Sequence, residues 1–390
     1  MTTLDALRGF ALLGILVVNI QMFSGWGYLG AEARQSLTGA ELDAWVETAL
    51  ALFAEGKFYS LFSLLFGYSF VLLAQRAGPN GAAVHRRRML GLLGFGLVHG
   101  VLFWPSDILA MYAVVGLALP PFFACRVRVL YLLALGLLVV VALLRWAWVS
   151  QGGDDGAWLL WRQEVMAASV PSLSSGTFGE VVRAHLGLKA AVFVERLEAL
   201  RAIKVFALFL LGAAAAQLRL LEPGPESRSI LRWLLLVGLG CGLLLVMAEQ
   251  DVGMSLQSGN PLHVLASTFS PPLMAIGYAS ALALWSHRGD LWARCSDTLL
   301  SFTGRMALTH YIGQSMVCNL LFYGYGLSLF AEFSLARAVA LAFGIFLGQV
   351  LFSALWLKAF RQGPLEWVWR WQIQGQRPKL LALDTPNEKR

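Results

Sequence analysis

The sequence predicts an all-α integral membrane protein, a bundle of about ten transmembrane helices with both termini cytoplasmic. Composition is the first reason. Hydrophobic residues make up 58% of the 390 and charged residues only 14%, with a mean hydropathy of +0.65. A soluble domain is about a quarter charged, so this chain cannot cover a globular surface with polar groups. The second reason is spacing: the apolar residues come in blocks of about 17 to 25, enough to cross about 30 Å of hydrocarbon as a helix. The third is pattern. Runs such as LYLLALGLLVVVALL at 130–144 are apolar on every face and lack the alternation of a membrane barrel.

The blocks fall at 7–23, 58–74, 89–104, 107–124, 129–149, 202–217, 229–247, 264–285, 306–330 and 335–357, and the ninth could begin as early as 297. The first carries Asp5 and Arg8 at its start and no small-residue cleavage site, so it reads as a permanent span and not a signal peptide. Basic residues follow alternate blocks: Arg76 and Arg86-Arg87-Arg88, then Arg126 and Arg128, then Arg219, Arg228 and Arg232, then Arg288 and Arg294, then Lys358 and Arg361. The intervening connections are poor in Lys and Arg, which places both termini on the cytoplasmic side. The connection 150–201 is long and mixed in charge, and is expected to hold amphipathic helices on the outer surface. Residues 1–373 thus form a single polytopic membrane domain. The polar tail 374–390, with Pro378 and Pro386, is expected to be disordered in part.

Several function classes drop out here. The net charge of +7 sits in short loops, as topology signals do, so nucleic acid is not an expected partner. The four cysteines, Cys125, Cys241, Cys295 and Cys318, are scattered; no metal site or disulfide framework is expected. Expected partners are membrane lipids and a small-molecule or glycan substrate, and a homodimer stays open.

Function is sought in polar residues that hydrocarbon should exclude, since each ionisable group within a span is costly. In the first span, Asp5 and Arg8 are three apart and can pair on one helix face. Asn19 lies eleven residues beyond Arg8, about 16 Å along the helix. The bland alternative makes Arg8 a snorkelling anchor and Asn19 a helix–helix hydrogen bond. A second cluster joins His99, near the end of the third block, to Asp107 across a Trp104-Pro105 turn. A tight hairpin would bring them into reach, and an Asp holding one imidazole nitrogen leaves the other as a base. Alternatively His99 is a satisfied structural residue and Asp107 a helix cap. In TGRMALTHYIGQS, Arg305 is followed by Thr309, His310, Gln314 and Ser315 at helical spacing. A hydroxyl alone is unremarkable there, because it can bond to its own helix. In GPLEWVWRWQ at 363–372, Glu366 and Arg370 are four apart among three tryptophans, which also fits an interfacial anchoring helix.

LDALRGFALLGILVVN at 4–19, GKFYSLFSLLFGYSF at 56–70, the HG…DIL…YA…G stretch at 99–116, GRMALTHYIGQS at 304–315 and GPLEWVWR at 363–370 together resemble the YeiB-like family of bacterial inner-membrane proteins, the domain of unknown function 418. The first span is also similar to that of the transmembrane acyltransferases, among them heparan-α-glucosaminide N-acetyltransferase. Many polysaccharide O-acyltransferases of that group carry Arg, ten residues, then His in this span. Here Arg8 is followed at that spacing by Asn19, and IQMFSGWGYLG at 20–30 contains no His. That leaves either His99 as a substitute base or a chain without acyl-transfer chemistry.

The resemblance and the residues together set the expected function: transfer of an acyl group from a cytoplasmic acyl-CoA donor to an acceptor at the outer side, with no tightly bound cofactor. His99, Asp107 and Asn19 would be catalytic, with Asn19 steadying the oxyanion. Asp5, Arg8, Lys57, Arg305, Thr309, His310, Gln314, Glu366 and Arg370 would bind substrate, the arginines taking phosphates. A transporter of a small anionic metabolite and a non-catalytic lipid- or quinone-binding protein are the alternatives. No matched pair of broken helices marks the two halves, which counts mildly against transport.

Overall fold

The computed structural model describes residues 2–151, 157–251 and 261–381. In chain order its helices are α1 (Thr2–Phe23), α2 (Ala31–Gln35), α3 (Asp43–Phe53), α4 (Lys57–Ala77), α5 (Gly81–Leu102), α6 (Leu109–Gly116), α7 (Val127–Ser150) and α8 (Ala157–Ser175). They continue with α9 (Phe178–Glu198), α10 (Arg201–Gln217), α11 (Pro225–Asp251), α12 (Pro261–Ser286), α13 (Leu291–Arg305), α14 (Ala307–Phe322), α15 (Leu335–Ala359) and α16 (Pro364–Gln374). Among the described residues the fold is all-α, with one isolated bridge between Phe360 and Leu381.

Five helical stretches are long and apolar enough to cross a membrane: Thr2–Phe23, Ala40–Leu102, Val127–Ser150, Pro225–Glu249 and Leu335–Ala359. A sixth arises if Phe178–Leu197 and Arg201–Gln217, bent by 64° at their junction, form one broken span. α15 shows why hydrocarbon is the solvent. It buries Ala338, Ala342, Phe346 and Val350 and exposes Phe343, Leu347, Leu351 and Leu355. A helix apolar on both faces has no polar side to offer water.

Two blocks depart from the spacing expected of spans. The fourth yields only the eight-residue α6, about 12 Å long, because it starts after the Pro105 turn and ends ahead of Pro120-Pro121. The ninth begins at the Met306 break, which sets it off from α13, but its helix α14 ends at Phe322, well short of 330. The 150–201 connection also does more than lie on a surface: α9 buries Val181, His185 and Leu188 and packs against α5. The tail is held back on the protein as far as Leu381, with Arg361 N–H donating to Leu380 O and the Trp367 indole N–H to Pro378 O; its remainder lies outside the described residues.

One hydrophobic core runs through α1, α4, α10, α14 and α15. α1 and α13 approach backbone to backbone, since a Cβ at Gly9 would strike the Leu300 carbonyl and one at Gly304 the Asp5 carbonyl. Small residues at crossings are how helices associate where hydrocarbon removes the hydrophobic drive. Asp43 pins the α1–α4 connection. It accepts the Trp26 indole N–H at 2.9 Å and the amides of Leu335 and Ala336, each at 3.0 Å, at the start of α15.

Candidate active site

The α5–α6 hairpin builds the centre. α5 unwinds at Phe103 and Trp104, both of whose amides bond to the His99 carbonyl, and Pro105 prevents the helix from resuming. Gly96 lets α6 come close, because a Cβ there would collide with the Ala110 amide nitrogen. Asp107 then turns back on α5. Its Oδ2 accepts the Ala110 amide at 2.9 Å and its Oδ1 lies 2.8 Å from His99 Nδ1. Both side chains are 0% exposed. The other imidazole nitrogen, Nε2, lies 2.9 Å from the hydroxyl of Ser315 on α14.

A carboxylate can only accept, so Nδ1 carries its proton toward Asp107, and in the neutral imidazole Nε2 then presents a lone pair. In that form the Ser315 hydroxyl donates to the lone pair. The order carboxylate, imidazole, hydroxyl is the geometry of an activated serine.

The surroundings fix this array. Arg196 of α9 donates to the carbonyls of Asp107 at 2.7 Å and Ser106 at 2.6 Å, locking the hairpin turn. The Lys189 ammonium lies on Gly100, beside Asp107. Asn319 donates to the Phe103 carbonyl at 2.9 Å. The Tyr311 ring lies 5.0 Å from the imidazole, and its hydroxyl accepts the Ile108 amide at 3.4 Å. Tyr311, Ser315 and Asn319 are spaced by four on α14, so one face of that helix meets the hairpin.

A second polar group gathers at the other end of α1 and α5. Arg8 donates to Asp5 and to Ser69 Oγ, each at 2.6 Å. The Arg88 guanidinium lies 4.7 Å over the Trp369 ring, whose N–H donates to the Arg88 carbonyl. The like charges that bear on Arg88 are Arg8 and Arg370. Arg8 and Arg370 thus lie near Arg88, and Asp5 pairs with Arg8, a set suited to an anion. Eleven residues of α5 separate Arg88 from His99, about 16 Å of helix.

The remaining sequence candidates have other surroundings. Lys57 is buried and donates to the Ala51 carbonyl. Asn19 is half-buried on α1 and makes no hydrogen bond to His99 or Asp107. Arg305 donates to the Arg361 carbonyl at 3.1 Å. His310 and Gln314 lie on the α14 face toward α15, where they meet Ser353 and Gln349. Glu366 accepts the Leu308 and Thr309 amides at 2.7 and 3.0 Å and the Thr309 hydroxyl at 2.6 Å. It caps the α14 amides that the Met306 break leaves open.

Sequence reasoning passed over Ser315 as a reactive group, and also Tyr311, Arg88, Lys189 and Arg196. The one available signal was the placement of Tyr311 and Ser315 one turn apart beside a conspicuous HYIGQ run. Among the described residues no cluster of three metal-ligating side chains forms.

A family model described as protein of unknown function (DUF418) matches residues 215–376, a stretch that includes Ser315, Glu366 and Arg370. The chain is 30% identical over 395 residues to the uncharacterized protein YxaH of Bacillus subtilis (strain 168), covering 94% of this chain and 92% of that one. It is 31% identical over 387 residues to the uncharacterized protein YeiB of Escherichia coli (strain K12), covering 94% of each. An uncharacterized 39.9 kDa protein of Bacillus acidopullulyticus is 30% identical over 400 residues, with 97% of this chain and 95% of that one covered. No solved structure matches the chain.

Proposed function

We propose that this chain, which belongs to the family of the uncharacterized proteins YeiB and YxaH, is a transmembrane acyltransferase of the bacterial inner membrane. In this reading the bundle crosses the membrane about ten times with both termini cytoplasmic. The acyl-thioester donor enters from the cytoplasm. Its phosphates meet Arg8, Arg88 and Arg370, and its thioester reaches along the bundle interior toward His99. The acceptor, a hydroxyl or amine on a small molecule or glycan, arrives from the outer side.

The observation that carries the reading is the His99–Asp107 pair, 2.8 Å apart and 0% exposed. Burying a carboxylate beside an imidazole in an apolar bundle costs several kcal/mol unless both are well paired, and packing alone would be served by apolar residues. Asp107 fixes the tautomer and supports the imidazolium, so Nε2 takes a proton during attack and returns it to the leaving group. Lys189 and Arg196 add positive charge beside the carboxylate. The separation of the arginines from the base, about 16 Å of helix, suits a donor whose phosphates and thioester are joined by a long flexible arm.

The test is transfer of a labelled acetyl group from coenzyme A in proteoliposomes, with acceptor supplied only on the outer side. His99→Ala is expected to lower turnover by about 10²- to 10⁴-fold and to leave donor affinity nearly unchanged. Full activity in that variant removes His99 as the base. Absence of transfer by the wild type across a broad acceptor panel overturns the reading, and uptake of an intact small anion in its place would put the chain among transporters.

A further inference from the structure

We propose that Ser315 is a nucleophile, and that acyl transfer in this protein passes through a covalent acyl-serine. The inference rests on reading the His99 centre as acyl-transfer machinery, and it replaces direct attack by the acceptor with two successive attacks.

The orientation of the Ser315 hydroxyl is the first argument. Serine in an apolar helix ordinarily satisfies its proton on the carbonyl one turn back. Ser60, Ser63, Ser69 and Ser353 all do so, donating to Gly56, Tyr59, Leu65 and Gln349. Ser315 makes no such bond to Tyr311, and its partner is His99 Nε2 at 2.9 Å.

A second histidine–serine contact in the same bundle supplies the contrast. His310 Nε2 also meets a hydroxyl, that of Ser353. There the serine proton is already committed to Gln349 O, so the imidazole must be the donor and Ser353 the acceptor. No carboxylate bonds to His310 among the described residues. At His99 the polarity is reversed. Asp107 takes the Nδ1 proton, which leaves Nε2 free to receive the proton of Ser315.

The third argument is a donor for the negative charge that would develop. Tyr311 sits one turn before Ser315, on the same face of α14. Its hydroxyl oxygen accepts the Ile108 amide, while its own proton has no acceptor among the described residues. That proton is available to a tetrahedral oxyanion formed at Ser315, where a preorganised donor in a dry site is most effective.

The reaction balances within these groups. Ser315 Oγ attacks the thioester carbonyl carbon as its proton passes to His99 Nε2. The tetrahedral oxyanion collapses, the carbon–sulfur bond breaks, and the departing thiolate takes the proton from Nε2. An acceptor hydroxyl then gives its proton to Nε2 and attacks the Ser315 ester. The ester bond breaks, Ser315 Oγ recovers the proton, and the acyl group leaves on the acceptor.

The experiment uses a small dialkyl fluorophosphate, which phosphorylates activated serines, on the purified full chain in nanodiscs, with the modified peptide read by mass. Wild type is expected to be labelled at Ser315. Labelling should vanish in Ser315→Ala, slow by roughly 10²-fold or more in His99→Ala, and persist in Ser353→Ala. Ser315→Cys, which keeps a hydrogen-bonding side chain of similar size, guards against loss of folding. It should resist the probe but accumulate an acyl thioester from acetyl-CoA. Wild type that escapes the probe, or labelling that survives Ser315→Ala, overturns the nucleophile even if acetyl transfer is measured. Labelling at Ser315 with no transfer to any acceptor sustains the nucleophile while the transferase reading fails.

Discussion

His99 Nε2 and Ser315 Oγ stand 2.9 Å apart although 216 residues separate them in the chain. The contact joins the α5–α6 hairpin to α14, and everything around it opposes a looser arrangement. Arg196 holds the turn by two carbonyls, and Asn319 holds the end of α5 by a third. A buried polar array held from three helices has little room to rearrange, so its geometry is set before any substrate arrives.

The first prediction concerns Asp107. Asp107→Asn keeps the shape and the bond to the Ala110 amide but removes the charge that supports the imidazolium. A charge-assisted hydrogen bond is worth about 1.5–3 kcal/mol, so turnover is expected to fall by roughly 10- to 100-fold, less than in His99→Ala. Acetyl-transfer rates measured at saturating donor decide it; wild-type turnover in Asp107→Asn would remove the carboxylate from the mechanism.

A second prediction tests the α1–α13 crossing. A Cβ at Gly304 would collide with the Asp5 carbonyl oxygen, a backbone atom that cannot swing away. Gly304→Val is expected to destabilise by about 1–3 kcal/mol and to disturb the adjacent Asp5–Arg8 pair. Thermal unfolding in detergent should show a lower Tm for this variant and none of that loss for Gly136→Val, a position with open space around it. Equal Tm values would mean that the two helices sit further apart than described.

What the sequence made legible followed from short range. The apolar blocks and the His99–Asp107 contact depend on residues at most a hairpin apart, so periodicity and one proline sufficed. Ser315 was visible only as a hydroxyl in a helix, because nothing local says which way such a hydroxyl turns; its partner lies on another helix. Arg88 was absorbed into the Arg86-Arg87-Arg88 run as a topology signal. Only packing separates it from its neighbours, by laying it on Trp369. His310 and Gln314 looked equivalent to Ser315 in spacing, yet a rotation of about 100° per residue turns them to α15 and away from the hairpin. The fourth block looked continuous because hydropathy does not register helix stops, and for the same reason a start of the ninth at 297 stayed open where the helix in fact breaks at Met306.

Glu366 yields a stability prediction independent of any reaction. It closes the open end of α14 through the Leu308 and Thr309 amides and the Thr309 hydroxyl. Removing it strands donors in a half-buried site, at about 1–3 kcal/mol for a buried unsatisfied group. Glu366→Ala is therefore expected to lower Tm clearly, and Glu366→Gln, which keeps one acceptor oxygen, by less. If Ala and Gln behave alike, the cap is not what the carboxylate contributes.

Topology can be tested without activity. Cysteines placed at 82 and 385 are expected to react with a membrane-impermeant maleimide only in inverted vesicles, because basic connections stay on the cytoplasmic side. Reaction of the 385 position from the outside of intact cells, with 82 still cytoplasmic, would require an odd number of crossings between them and would contradict Arg88 and Trp369 meeting at one face.

The arginine trio gives the final prediction, which turns on a comparison between two residues of the same type. Arg88 is packed on Trp369 with Arg8 and Arg370 as its like-charged neighbours, whereas Arg305 spends a guanidinium donor on the Arg361 carbonyl. Like charges held together are unfavourable until an anion enters, so the trio gains from a phosphate in a way that an isolated surface arginine does not. Arg88→Ala is expected to weaken acetyl-CoA binding by roughly 10- to 100-fold, corresponding to the loss of one charged hydrogen bond of about 1.5–3 kcal/mol. Arg305→Ala should change it by no more than about threefold, and added salt should weaken wild-type binding more than that of Arg88→Ala. Calorimetry with acetyl-CoA and with its dephosphorylated analogue resolves the source of the effect. If Arg305→Ala costs as much as Arg88→Ala, or if the analogue binds wild type equally well, the phosphates do not lie in this trio.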